Sequence, residues 1–201
     1  KSNYFVRKIV KKKKKILVIT RKFDLKEKIS KEDGFTTDLK TFSTFMDRLK
    51  LIDTNKFEIF LKPHPTTDIN LLKQFLNASN LKNIKILFDP ILFDIGNFDL
   101  IYSYHSTLLL LGIANSKPVI YHYDPSIKRN VSWDKEYLNL YKLSYLVEKK
   151  DTKLDKYFKN TNFNYNFKKL RKNKLKLLKY FKKMSYKNFF SHLNKQFKMH
   201  D

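Results

Sequence analysis

The chain has 201 residues, no cysteine and a formal charge of +24. Disulfides and thiolate metal sites are therefore excluded, and one domain with a single good core is the expectation. The longest uncharged stretch, Leu100 to Ser116, contains Ser103, His105, Ser106 and Asn115, which is too short and too polar for a membrane span, and the short apolar run after Lys11 to Lys15 does not read as a signal peptide.

In chain order, residues 1–15 read as a basic segment or linker. Ile16 to Thr20 reads as a fully buried strand: short, β-branched and bounded by charge. A polar loop from Arg21 to Asp33 follows, then a helix from about Thr36 to Leu51 with Leu39, Phe42, Phe45, Met46 and Leu49 on one side. Lys56 to Leu61 is a second strand, closed by the two prolines around His64. Thr66 or Thr67 is expected to cap a helix from Asp68 to Ala78. Asn83 to Phe88 and Asp99 to Ser103 are strands with a short helical turn between them. A helix from His105 to Asn115 and a strand from Pro118 to His122 complete the alternation. This rhythm predicts an α/β fold, a Rossmann-like parallel sheet of about five strands, over residues 16–150.

From Asp124 onward the composition shifts to Tyr, Lys, Asn and Leu. Residues 151–201 read as a basic helical tail, with Phe167, Leu170, Leu177, Leu178, Phe181 and Met184 along one side. Between Lys149 and Asp201 stand 17 Lys or Arg against 3 Asp. Such a helix either packs its apolar side across the sheet or lies at an anionic membrane surface. The charge also admits nucleic acid as a partner. The chain has only two alanines and three glycines amid abundant Lys, Asn, Ile, Phe and Tyr. An AT-rich genome writes this palette by default, which discounts the scattered lysines as evidence for nucleic acid.

Two polar clusters stand where chemistry is expected. Lys62-Pro63-His64-Pro65 ends the second strand, and the prolines fix the backbone on both sides of the imidazole. An oriented histidine there can donate a hydrogen bond to a leaving phosphate, or simply stabilise a rigid turn. His105-Ser106-Thr107 opens a helix, where backbone N–H groups, hydroxyls and the dipole favour an anion; ordinary capping uses the same residues. A parallel sheet brings both clusters to one edge, the edge at which such folds bind ligands. Arg21 and Lys22 follow the first strand and can reach the same crevice. There are no paired carboxylates at a diagnostic spacing, no metal-ligand cluster, no phosphate-binding P-loop and no glycine-rich dinucleotide fingerprint.

The His-Pro element, the hydroxyl-rich helix start and the following Lys117-Pro118-Val119-Ile120 strand together resemble the C-terminal half of certain bacterial GT-B transferases. These are the capsule-synthesis and sialyl- or polysialyltransferase-like glycosyltransferases and the CDP-glycerol glycerophosphotransferases. The resemblance spans about Ile16 to Tyr123. It implies transfer from a nucleotide-activated donor to a glycan or lipid-linked acceptor during surface polysaccharide synthesis, with CMP- or CDP-linked donors favoured over UDP-linked ones and no cofactor. It implies donor-phosphate contacts from His64, His105, Ser106, Thr107, Arg21 and Lys22, and nucleoside contacts near Asp89, Pro90 and His122. His64 is the catalytic candidate. Related enzymes carry a serine pair where this chain has His105-Ser106-Thr107. The resemblance further implies a cytoplasmic protein at the inner face of the plasma membrane, and a second, acceptor-side domain outside this chain, which begins at Lys1. The rival expectation is a non-catalytic basic protein that binds nucleic acid or anionic membrane.

Overall fold

A computed structural model describes residues 12–24, 37–81, 83–88, 95–104, 106–123, 139–148, 152–162 and 164–183. Six strands, β1 (Lys14–Ile19), β4 (Phe57–Lys62), β5 (Ile84–Ile86), β6 (Leu100–Ser103), β7 (Val119–His122) and β8 (Leu146–Glu148), form one sheet in the order β5-β4-β1-β6-β7-β8. Every pairing in it is parallel. Counted within this sheet, the order is 3-2-1-4-5-6, that of a doubly wound Rossmann-like fold. Two departures concern short strands. β8 is a sixth strand, and β2 (Phe23–Asp24), in the expected polar loop, pairs with β3 (Thr37–Asp38), at the expected start of the first helix, in a small parallel sheet. Strands of two or three residues are too short to display a period of two.

The central strands are apolar throughout because both faces are covered. On one face Ile16, Val18, Leu100, Tyr102 and Ile120 meet α1 (Leu39–Asp47), α2 (Ile69–Ala78) and α4 (Asp155–Phe158). On the other, Leu17, Ile19, Ile101, Val119 and Tyr121 meet α3 (Leu108–Ala114) and α5 (Phe167–Lys183). The helical segment set apart by its composition thus contributes to both cores: Tyr157, Phe158 and Leu170 to the first, Leu177 and Phe181 to the second. Packing is the outcome for the described part of this segment, but Phe167 does not join it. That ring is 76% exposed, since it begins the helix one turn before Leu170, the first side chain to reach the core.

Gly112 sets the approach of α3 to the sheet. A Cβ there would lie 2.5 Å from Ile101 Cδ1 and 2.8 Å from Val119 Cγ2, both closer than van der Waals contact allows. The first helix is shorter than its sequence period suggests, turning into a 3-10 segment at Arg48–Leu51. The cap of α2 is also corrected. Asp68, not Thr66 or Thr67, accepts from the amides of Asn70 and Leu71, while Thr66 is engaged with His64.

Candidate functional site

The strand order reverses between β1 and β6, and open α/β sheets bind ligands in the crevice at such a point, outside the carboxyl ends of the strands. The Thr20 amide donates to the Lys62 carbonyl at 3.1 Å, and the Tyr104 amide donates to the Ile19 carbonyl at 3.1 Å. These two bonds carry the ladder past the last residues of β1 and hold three chain exits side by side: one opening with Thr20-Arg21-Lys22, one with Pro63-His64-Pro65, and one with Tyr104, ahead of Ser106 and Thr107. His64 and Ser106 therefore follow strands that each neighbour β1, roughly 10 Å apart at the usual strand spacing.

At His64 the local turn fixes the ring. Thr67 N–H donates to the His64 carbonyl at 2.9 Å, and Thr66 contacts Nδ1 through its hydroxyl at 2.9 Å and its amide at 3.3 Å. A backbone amide can only donate, so Nδ1 accepts and the neutral ring carries its proton on Nε2. His64 itself is half-buried, behind a buried Pro63. The next helix start is already neutralised, because the Asp68 carboxylate takes the amides that an anion would otherwise meet.

At the third exit, Ser106 Oγ accepts from the Leu108 amide at 3.3 Å, and the Ser106 and Thr107 carbonyls accept from Leu109 and Leu110 at 3.1 and 2.9 Å. Thr107 is already helical, and its side chain makes no capping bond. Ser106 is thus the cap, with its hydroxyl proton still able to donate. Arg21 and Lys22 are half-buried at the end of β1. Arg21, Thr20, Phe42, Phe45 and Tyr104 line a pocket at the reversal point, too narrow in this state to hold a water molecule. The Thr20 hydroxyl is buried there with no hydrogen-bond partner among the described residues. His105, Asp89 and Pro90 lie outside the described residues, as does Met184.

His122 belongs to a buried polar cluster one strand further along. The Tyr102 hydroxyl donates to Glu148 Oε2 at 2.6 Å, and His122 Nδ1 lies 2.8 Å from the same oxygen. Arg48 Nε stands 3.1 Å from Oε1, an ion pair whose geometry falls short of a hydrogen bond. Burial, and then the Glu148 charge, push the Tyr102 hydroxyl well above its ordinary range. Phe45 stacks on Tyr102 at 4.7 Å and meets His122 edge-on at 5.2 Å, while Tyr104 lies 5.6 Å from the His122 ring. Phe45 and Tyr104 also line the pocket, so His122 stands behind its wall rather than open to the crevice. Sequence reading missed Glu148, Arg48 and Tyr102. Arg48 left one signal, as one of only five arginines in a chain that otherwise writes lysine. Glu148, beside Lys149 and Lys150, left none. Among the described residues, no group of His, Asp and Glu could hold a metal ion.

A family model for alpha-2,8-polysialyltransferases matches residues 4–114, and the chain belongs to that family. A solved structure described as Thermosulfurimonas dismutans KpsC, beta Kdo 2,4 transferase, matches at 19% identity and a TM-score of 0.34. The match covers 61% of this chain and 36% of that one. No curated protein matches the chain.

Proposed function

We propose that this chain is the donor-binding, Rossmann-like domain of a GT-B glycosyltransferase that adds sialic-acid-like residues to a bacterial surface polysaccharide, drawing them from a nucleotide-activated donor. The family match supports the reaction class. The observation that carries the site is the convergence of His64, Arg21, Lys22 and the Ser106/Thr107 helix start at the reversal point of a 3-2-1-4-5-6 sheet. A cytidine nucleotide is the favoured donor group, CMP- or CDP-linked, with UDP as the alternative.

In this reading the bond that breaks joins the donor sugar to its phosphate, and negative charge grows on the departing nucleotide. The groups at the edge are of the kind that stabilises such charge: cations at Arg21 and Lys22, hydroxyls at Ser106 and Thr107, and an imidazole oriented through Nδ1, whose Nε2–H serves as donor. His64 is the catalytic residue in this sense, stabilising the leaving phosphate without acting as a nucleophile. The base that activates the acceptor would be supplied from outside the residues described.

Thermal unfolding in the presence of nucleotides tests the reading. A ligand at one hundred times its Kd stabilises the folded state by about 2.7 kcal/mol, and cytidine nucleotides should raise the midpoint in a saturable way. No shift with CMP, CDP or UDP at millimolar concentration contradicts it.

A further inference from the structure

The outward side of α5 is cationic except for Leu175 and, at the helix start, Phe167. The helix carries nine Lys or Arg and no acidic residue in seventeen positions, whereas α1 and α2, nineteen residues together, hold two lysines and one aspartate. A genome-wide preference for lysine would spread charge more evenly, so the concentration on this helix is local. Its other side is already used: Leu170, Leu177 and Phe181 are buried, Lys169 donates to the Tyr145 carbonyl and Asn173 to the Leu143 carbonyl. What faces out is a shallow strip formed by Lys168, Arg171, Lys172, Leu175, Lys176 and Lys179. Lys168, Lys172 and Lys176 succeed one another at four-residue intervals, a like-charge spacing that destabilises a helix by a few tenths of a kcal/mol per pair. No carboxylate on the helix relieves that repulsion. An anionic surface would.

We infer that this strip is a docking surface for an anionic lipid bilayer. Two features favour a bilayer over a soluble polyanion. Leu175 sits in the middle of the cations and is 57% exposed; it gains from contact with the acyl boundary of a membrane and gains nothing from a phosphate or carboxylate chain. The charges are also mostly lysine, a compact, mobile ammonium suited to diffuse headgroups, and only Arg171 offers the planar fork that recognises single phosphates or carboxylates. Beyond Phe167 at its start, the apolar side of α5 stays in the core, so docking is electrostatic, with Leu175 inserted from among the cations. No helix among the described residues is long and apolar enough to cross a membrane. The inference stands whether or not the donor reading above is right.

The test is sedimentation of the full chain with vesicles of phosphatidylcholine alone and with about one-third phosphatidylglycerol, at matched ionic strength. Binding to the anionic vesicles, weakened by salt, is expected. Each neutralised cation should lower partitioning about fivefold, the equivalent of about 1 kcal/mol, so K172Q/K176Q should lose roughly 25-fold. L175S should weaken vesicle binding while leaving retention on a soluble polyanion, polyglutamate, unchanged. All these positions are exposed, and removing like charges relieves repulsion, so the variants should fold; circular dichroism verifies this. Equal binding to neutral and anionic vesicles, or vesicle binding indifferent to K172Q/K176Q, overturns the inference. Tight binding of polyglutamate without vesicle binding overturns it in favour of a soluble polyanion.

Discussion

Removing the Glu148 carboxylate should destabilise the fold more than any surface change. Glu148 is 1% exposed and ties three elements to one carboxylate: β6 through Tyr102, β7 through His122, and the 3-10 turn after α1 through Arg48. Breaking a buried ion pair costs about 3–5 kcal/mol when the partner is left charged and dry. Here the partner side chain is 32% exposed, so Arg48 regains water and that figure is an upper bound. The lost hydrogen bonds to a charged acceptor are worth about 1.5–3 kcal/mol each, but the Tyr102 hydroxyl keeps His122 Nδ1 at 3.1 Å as a substitute partner. Glu148→Ala should therefore cost about 2–3 kcal/mol, read as a lower urea midpoint at unchanged slope, or as a fall in Tm of about 5–10 °C for a chain of this size. Glu148→Gln keeps the shape and an acceptor for Tyr102, and should lose only about half as much. A Glu148→Ala protein within about 0.5 kcal/mol of wild type would refute the idea that this cluster holds the pocket wall.

Tyr102→Phe tests the same cluster through pH. The folded-state pKa is raised by burial and then by Glu148, so wild type keeps the hydroxyl protonated where the unfolded chain ionises. That contribution is complete below pH 10 and is lost above it, by up to about 1.4 kcal/mol per pH unit. The stability gap between wild type and Tyr102→Phe should narrow above pH 10; parallel curves would show that the hydroxyl is not held neutral. Gly112→Ala should cost about 1–3 kcal/mol by overpacking against Ile101 and the stiff Val119, and an unchanged urea midpoint would mean that α3 shifts freely. His64→Ala should lower transfer by the intact enzyme about 10²–10³-fold with the fold preserved, whereas unchanged turnover at saturating donor would reduce His64 to a turn residue.

The parts of the fold that were legible in the sequence are those whose burial is complete. Ile16 to Ile19 and Leu100 to Tyr102 are continuous apolar runs because helices cover both faces, and the Pro-flanked His64 marks its strand end without help from tertiary structure. What escaped was set by contacts distant in sequence. Glu148 reads as one more charge among lysines until β8 pairs with β7 and places it beside His122, 26 residues away. The resemblance implies a nucleoside contact near His122. That residue does end β7, but it is buried against Phe45 and Glu148, which no local pattern connects to it. The α2 cap is not decided by residue type, because Thr66, Thr67 and Asp68 are all good caps; Asp68 takes the role by accepting from Asn70 and Leu71, while Thr66 is engaged with His64. The helical period of α5 was visible, and so was its charge. Whether its apolar side met the sheet or a membrane surface needed the packing of Leu170, Leu177 and Phe181 into the two cores.

In the proposed function a nucleotide donor binds across the ends of β4, β1 and β6. The most direct measurement is a titration of the isotopically labelled chain with CMP, followed by backbone amide shifts. Saturable changes are expected, centred on Thr20 to Lys22, on His64, Thr66 and Thr67, and on Tyr104 to Leu108, diminished by His64→Ala. Changes confined to the lysines of α5, or to residues at the opposite end of the sheet such as Lys14, Phe57 and Leu100, would contradict it.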